Sequence, residues 1–178
     1  VEDDIVYSAG AAKECVKIYN EYVTNLILLV HLGSGMPARA TEISSYRIAN
    51  GQSELRNIFV IGRQVSIEAR YSKMRARTCT NNSVWRFLDA EASSVIIYDL
   101  LLVRPLVIHL TSFLKLDTSA EYSTDLFVTD GKSVKPCALR NIFARLFSEY
   151  SGGSSLSFSD YRQIAKYFGR KLGISKVA

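Results

Sequence analysis

The apolar residues of this 178-residue chain change period once and then change back. Over residues 13–32, Val16, Tyr19, Val23, Ile27 and Val30 recur at three- and four-residue steps, which is one stripe of an α-helix. Past residue 57 the period drops to two: Val65, Ile67 and Ala69 alternate with polar residues, as on a half-buried strand. From residue 90 onward the helical period returns. A chain patterned this way folds into helices around one small sheet. The expected class is α+β, mostly α with a small antiparallel three-stranded β-sheet.

Turn chemistry divides these segments further. Gly33-Ser34-Gly35 ends the first helix, and Pro37 opens a second that runs to about residue 46, because its fixed φ suits a first helical turn. Residues 57–61 form a strand, Gly62-Arg63 a tight turn, 65–69 the next strand, 72–75 a turn and 77–80 a third strand. Residues 83–89 are a transition. A long apolar helix follows over 90–116, kinked or split at Pro105. Residues 117–124 read as a polar loop, 126–128 as a short extended piece and 129–132 as a turn. Residues 135–150 are a helix, with Leu139, Ile142, Phe143, Leu146, Phe147 and Tyr150 on one face. The last helix starts near Asp160, which is spaced from Gln163 as in a capping box, and Ile164, Tyr167, Phe168 and Leu172 form its buried stripe.

Composition excludes several classes. With 48% hydrophobic residues, ten Gly and three Pro, the chain is neither disordered nor collagen-like. The apolar stretch 95–110 is broken by Asp99, Arg104 and Pro105, so no membrane span is expected. Cys15, Cys79 and Cys137 are scattered, which argues against a disulfide framework or zinc knuckle and suits a reducing compartment. His31 and His109 lie in apolar surroundings and read as core or boundary residues, so no metal site is expected. The chain opens Val-Glu-Asp-Asp, with neither an initiator Met nor a secretory signal. The expectation is one domain over residues 1–178, itself a piece of a larger protein.

The net charge of +5 hides alternating blocks. Residues 1–38 carry two basic and five acidic groups, 39–77 eight and three, 78–131 three and seven, and 132–178 nine and two. A fold that joins the two basic blocks presents one positive face, suited to a polyanion such as nucleic acid.

Three cations stand at local features that favour phosphate. Arg39, in Gly35-Met-Pro-Ala-Arg39-Ala-Thr-Glu42, sits at a helix start, one turn from a carboxylate able to orient it. Lys73, in Arg70-Tyr-Ser-Lys73, sits at a hairpin tip. Arg162, in Ser159-Asp-Tyr-Arg162, opens the last helix and shares a face with Lys166, roughly opposite Ile164 and Phe168. Each feature alone also fits an ordinary ion pair, edge-strand protection or a solvated surface.

Taken in order, the three resemble the catalytic set of the tyrosine recombinases. Arg39 resembles their first arginine, Lys73 their hairpin lysine, and Arg162 the arginine of their H-x-x-R box, spaced 34 and 89 residues apart. Gly-Met-Pro-Ala-Arg-Ala-Thr-Glu, Arg-Asn-Ile-Phe and Arg-Tyr-Ser-Lys are similar to the recombinase-like regions of fungal crypton elements and fungal helicase-associated proteins. The likeness covers about residues 13–173. It implies phosphoryl transfer on double-stranded DNA without metal or other cofactor. A tyrosine forms a 3′-phosphotyrosine bond, Arg39 and Arg162 neutralise the transition-state oxygens, and Lys73 protonates the leaving 5′ oxygen. It further implies DNA recombination or integration by a homo-oligomer on DNA, in the nucleus. Arg47, Arg56, Arg63, Arg70, Arg75, Arg77, Lys166, Arg170 and Lys171 are the phosphate-contact candidates.

The sequence departs from that pattern at two places. Ser159 occupies the histidine position of the box, and serine is a poor proton acceptor at neutral pH. The nucleophilic tyrosine belongs about two helices past Arg162, whereas Tyr161 and Tyr167 lie too close and read as structural. Either the nucleophile lies outside this fragment, or the chain is a catalytically inactive DNA-binding or scaffold module of the same descent. A helical protein-interaction domain is the third reading.

Overall fold

The computed structural model describes residues 8–51, 54–69, 83–116 and 119–173. Seven α-helices and two small antiparallel sheets occur among them. Helix α1 (Ala9–Gly33) runs through the core and buries Tyr19, Val23, Leu26, Ile27 and Val30, so the predicted stripe is the buried one. The chain turns at Gly35, whose φ of 74° suits glycine, and passes through an extended segment into α2. Helix α2 (Ala40–Ile43) is a single turn, not the longer helix expected to residue 46. Pro37 precedes it rather than starting it, because Arg39 keeps extended backbone (φ −75°, ψ 155°) and the helix begins after it.

Strands β1 (Ile58–Ile61), β2 (Gln64–Ala69) and β3 (Val84–Phe87) form the main sheet in that order, both pairings antiparallel. Gly62-Arg63 is the two-residue turn between β1 and β2. The segment expected to be a transition is β3 itself. The proposed strand 77–80 and turn 72–75 lie outside the described residues. Ile58 pairs with Ile67, and Ile67 with Arg86, so one cross-strand row ends in an arginine. That row faces inward, and Arg86 is the buried residue of β3, while Trp85 and Phe87 face out.

The expected kink at Pro105 takes a specific form. Helix α3 (Ala90–Tyr98) passes through a π-helical turn (Asp99–Val103) into α4 (Arg104–Phe113). Pro105 offers no N–H and its ring crowds the preceding turn. The helix widens by one residue instead of breaking, with the Arg104 N–H bonded to the Asp99 carbonyl. By length and mean hydropathy (1.6 over 18 residues), 90–113 would suffice to cross a bilayer, Asp99, Arg104 and Pro105 notwithstanding. Here one of its faces packs on the core through Ala92, Ile96, Val107 and Leu110.

The expected polar loop contains helix α5 (Ser119–Thr124). Its C-terminal end is organised by Arg104, which donates to the carbonyls of Tyr122, Asp125 and Leu126 while pairing with Asp99 at 2.9 Å. Strands β4 (Val128–Thr129) and β5 (Lys132–Ser133) close around Asp130-Gly131, both at positive φ, the geometry of a tight hairpin turn. Helix α6 (Pro136–Tyr150) buries Leu139, Phe143 and Leu146 against α1 and α2.

The last helix, α7 (Phe158–Lys171), starts earlier than expected. Its N-cap is Ser157, not Asp160: the Asp160 N–H bonds Ser157 Oγ at 3.1 Å, and no Asp160–Gln163 box forms. The predicted stripe is also reversed. Ile164, Tyr167, Phe168 and Leu172 are exposed, whereas Phe158 and Gly169 are buried and Arg162 and Lys166 half-buried. The inward face of this helix is thus the one that carries Arg162.

Candidate functional site

Two segments distant in sequence meet at one cleft. The first is the extended passage from α1 into α2. Glu42 folds back over it, its carboxylate accepting from the Arg39 backbone N–H at 3.0 Å and from Arg39 Nη1 at 2.9 Å. The second is α7, whose start is anchored by the Phe158 ring stacked on His31, centroids 3.9 Å apart. From the next turn of α7, Arg162 donates through Nε to the Pro37 carbonyl at 3.0 Å. The Arg162 side chain is thereby tied to the passage that carries Arg39.

The cleft has a volume of about 370 Å³ and is lined by Arg39 with Ala40 and Thr41 of α2, Arg140 from α6, and Phe158, Ser159 and Arg162 from α7. That volume falls in the range of small-ligand sites. Three arginines and two hydroxyl-bearing residues are among its lining residues. Glu42 stands behind Arg39, 5% exposed.

The cations repel one another. Burial, then the charges of Arg39 and Arg86, lower the pKa of Arg162, with Glu42 acting the other way. Lys166, one turn along α7, is lowered first by Arg162, then by burial, Arg39 and Arg170. An anion placed among them relieves this repulsion, and paired guanidinium groups match the geometry of a phosphate.

Of the sequence-predicted catalytic residues, Arg39, Arg162 and Ser159 come together at this cleft. Lys73 lies outside the described residues, as do Arg70, Arg75 and Arg77. Lys166 adjoins Arg162, and Arg170 and Lys171 are exposed at the end of α7. Arg63 is exposed at the β1–β2 turn. Arg47 has its charge matched inside the protein, by Glu54 at 2.5 Å and Asp125 at 3.4 Å. Arg56 lies over the Phe59 ring, 5.3 Å from its centroid. Tyr161 packs against His31 and Phe143. Tyr167 is exposed, 61%, on the stripe roughly opposite Arg162. Among the described residues, no three His, Cys, Asp or Glu side chains gather as a metal site.

Two residues of the site escaped the sequence reading. Arg140 sits on the exposed side of α6, and only the packing of α6 beside α2 brings it to the cleft. Arg86 reaches Glu42 Oε2 through Nη2 at 3.1 Å and the Met36 carbonyl through Nε at 3.2 Å.

His31 lies beneath the cleft, fully buried. Burial, with Arg162 and Arg86 nearby, holds its pKa at about 3, down from 6.5. The unfolded chain therefore binds a proton below pH 6.5 that the folded chain refuses, and stability falls as pH drops from 6.5 toward 3. His31→Leu is expected to remove up to about 1.4 kcal/mol of that loss per pH unit. Urea midpoints of both proteins between pH 7 and pH 4 check this. Equal slopes for the two would contradict it.

No family model matches the chain, and no solved structure matches it significantly.

Proposed function

We propose that the cleft takes a phosphodiester of duplex DNA and that the chain is a tyrosine-recombinase-like domain for strand cleavage and rejoining. The observation that carries this reading is the meeting of Arg39 and Arg162 in one cleft, which Ser159 also lines, with the Glu42 carboxylate bonded to Arg39. Two forked cations around one anion supply charge neutralisation at the non-bridging oxygens as negative charge builds. Lys73 is the proposed general acid. The nucleophilic tyrosine is proposed to come from outside this set, because Tyr161 is packed among rings and Tyr167 faces away. Work on DNA as a homo-oligomer, and a nuclear location, follow from the same proposal.

A second reading rests on Ser159. Its hydroxyl lines the cleft where the recombinase box carries a histidine, and a hydroxyl holds phosphate but does not shuttle protons at neutral pH. On this reading the chain is a DNA-binding or scaffold module that no longer cuts.

One experiment separates the two. The longest natural form of the protein is incubated with duplex DNA nicked opposite candidate sites, denatured, and assayed for protein joined to a 3′ end. An adduct lost on Arg162→Ala is expected for the cleaving enzyme. Salt-sensitive binding without adduct favours the non-cleaving module. Binding that is absent or indifferent to salt overturns both readings.

A further inference from the structure

Arg86 is out of place by the rules of strand patterning. Its neighbours Trp85 and Phe87 are apolar and face solvent, while the arginine takes the inward position opposite Ile67 and is 9% exposed. A buried cation loses its hydration, which costs several kcal/mol unless it is matched. The match here is partial. Nη2 meets Glu42 and Nε meets the Met36 carbonyl, while Nη1 is buried without a hydrogen-bond partner.

The arrangement of Glu42 shows what Arg86 accomplishes. One carboxylate serves two guanidinium groups: Oε1 faces Arg39 Nη1, and Oε2 faces both the Arg39 backbone N–H and Arg86 Nη2. With Arg86 present, the negative charge of Glu42 is shared, and the Arg39 side chain, 41% exposed at the cleft, keeps positive charge to offer. Without Arg86, the whole carboxylate charge falls on Arg39 and draws its guanidinium away from the cleft. Arg86 also fixes Met36, next to the Pro37 carbonyl that Arg162 holds. The passage between α1 and α2 is therefore gripped by both arginines.

We propose that Arg86 is a positioning residue of the cleft: by holding Glu42 from the sheet side, it leaves Arg39 free to bind the phosphate. The inference rests on the phosphate-binding reading above. Arg86 touches no DNA and acts through Glu42.

The test measures binding of a labelled duplex against salt concentration for Arg86→Met, Arg86→Lys, Glu42→Gln, the double variant Glu42→Gln/Arg86→Met, and Arg39→Ala. Arg86→Met is expected to bind about tenfold more weakly, and its salt slope to fall by about one, the signature of one lost phosphate contact. Arg86→Lys restores part of the affinity. In the Glu42→Gln background no charge competes for Arg39, so adding Arg86→Met leaves the slope unchanged. Should Arg86→Met alone fail to fold, Arg86→Gln read against Glu42→Gln/Arg86→Gln makes the same comparison: a slope lowered by Arg86→Gln alone, and unchanged when it is added to Glu42→Gln, is expected. An Arg86→Met slope equal to wild type, or a slope lost equally in both backgrounds, overturns the proposal while a lowered slope for Arg39→Ala leaves the phosphate reading standing. An unchanged slope for Arg39→Ala overturns the phosphate reading, and this inference with it.

Discussion

Replacing Arg39 and Arg162 together with alanine is expected to weaken duplex DNA binding by about 100-fold or more and to lower the salt slope by about two. Hydrogen bonds to a charged partner contribute about 1.5–3 kcal/mol each, and each phosphate contact adds close to one to the slope. The two effects arise at one place, because both side chains line the same cleft and Arg162 is tied to the passage that carries Arg39. Neither substitution opens the core, since the Arg39 side chain is partly exposed and Arg162 only half-buried. Arg47→Ala is the informative control. That guanidinium is held between Glu54 and Asp125, so its removal is expected to lower stability and leave the slope where it was. A slope that responds to Arg47 and not to Arg39 or Arg162 would move the DNA surface to another face of the protein.

Much of this site was legible before folding, and the exceptions share a cause. The α1 stripe and the α6 stripe announce themselves because their apolar faces bury as their spacing predicts. Arg39 and Arg162, which meet at the cleft, each sit beside a local signal in the sequence: Pro37 and a carboxylate three residues on for one, and a Ser/Gly stop before a helix for the other. The same logic failed on α7. Its apolar residues are the exposed ones, and the basic face turns inward to grip the Pro37 carbonyl. Amphipathic spacing reports two faces, and the tertiary contact decides which is buried. Arg86 was missed for the same reason: Val84-Trp85-Arg86-Phe87 is a strand whose hydrophobic side faces out. No rule of hydrophobic alternation finds such a residue. The signal that exists is indirect, namely that Glu42 is a buried carboxylate whose pairing with a partly exposed Arg39 leaves charge unmatched.

Arg104→Met is expected to cost about 3–5 kcal/mol of stability, the usual result of removing one member of a buried ion pair. The arginine is 2% exposed and Asp99 fully buried, and they meet at the π turn that accommodates Pro105. Burial raises the pKa of Asp99 even against the pull of Arg104, so the carboxylate left behind would be poorly solvated. Three carbonyls, of Tyr122, Asp125 and Leu126, lose their donor at the same time. Restoring charge balance with Asp99→Leu/Arg104→Met is therefore expected to recover only part of the loss. The damage also has a route toward the cleft. The Ile48 N–H bonds the Thr124 carbonyl and the Leu126 N–H bonds the Tyr46 carbonyl, so the chain leaving α2 hangs on the segment that Arg104 organises. A lowered urea midpoint with an unchanged salt slope for the folded protein is the expected outcome, the reverse of the Arg39 and Arg162 substitutions. A salt slope that falls with Arg104 would instead mean that the support behind α2 sets the direction of Arg39 at the phosphate.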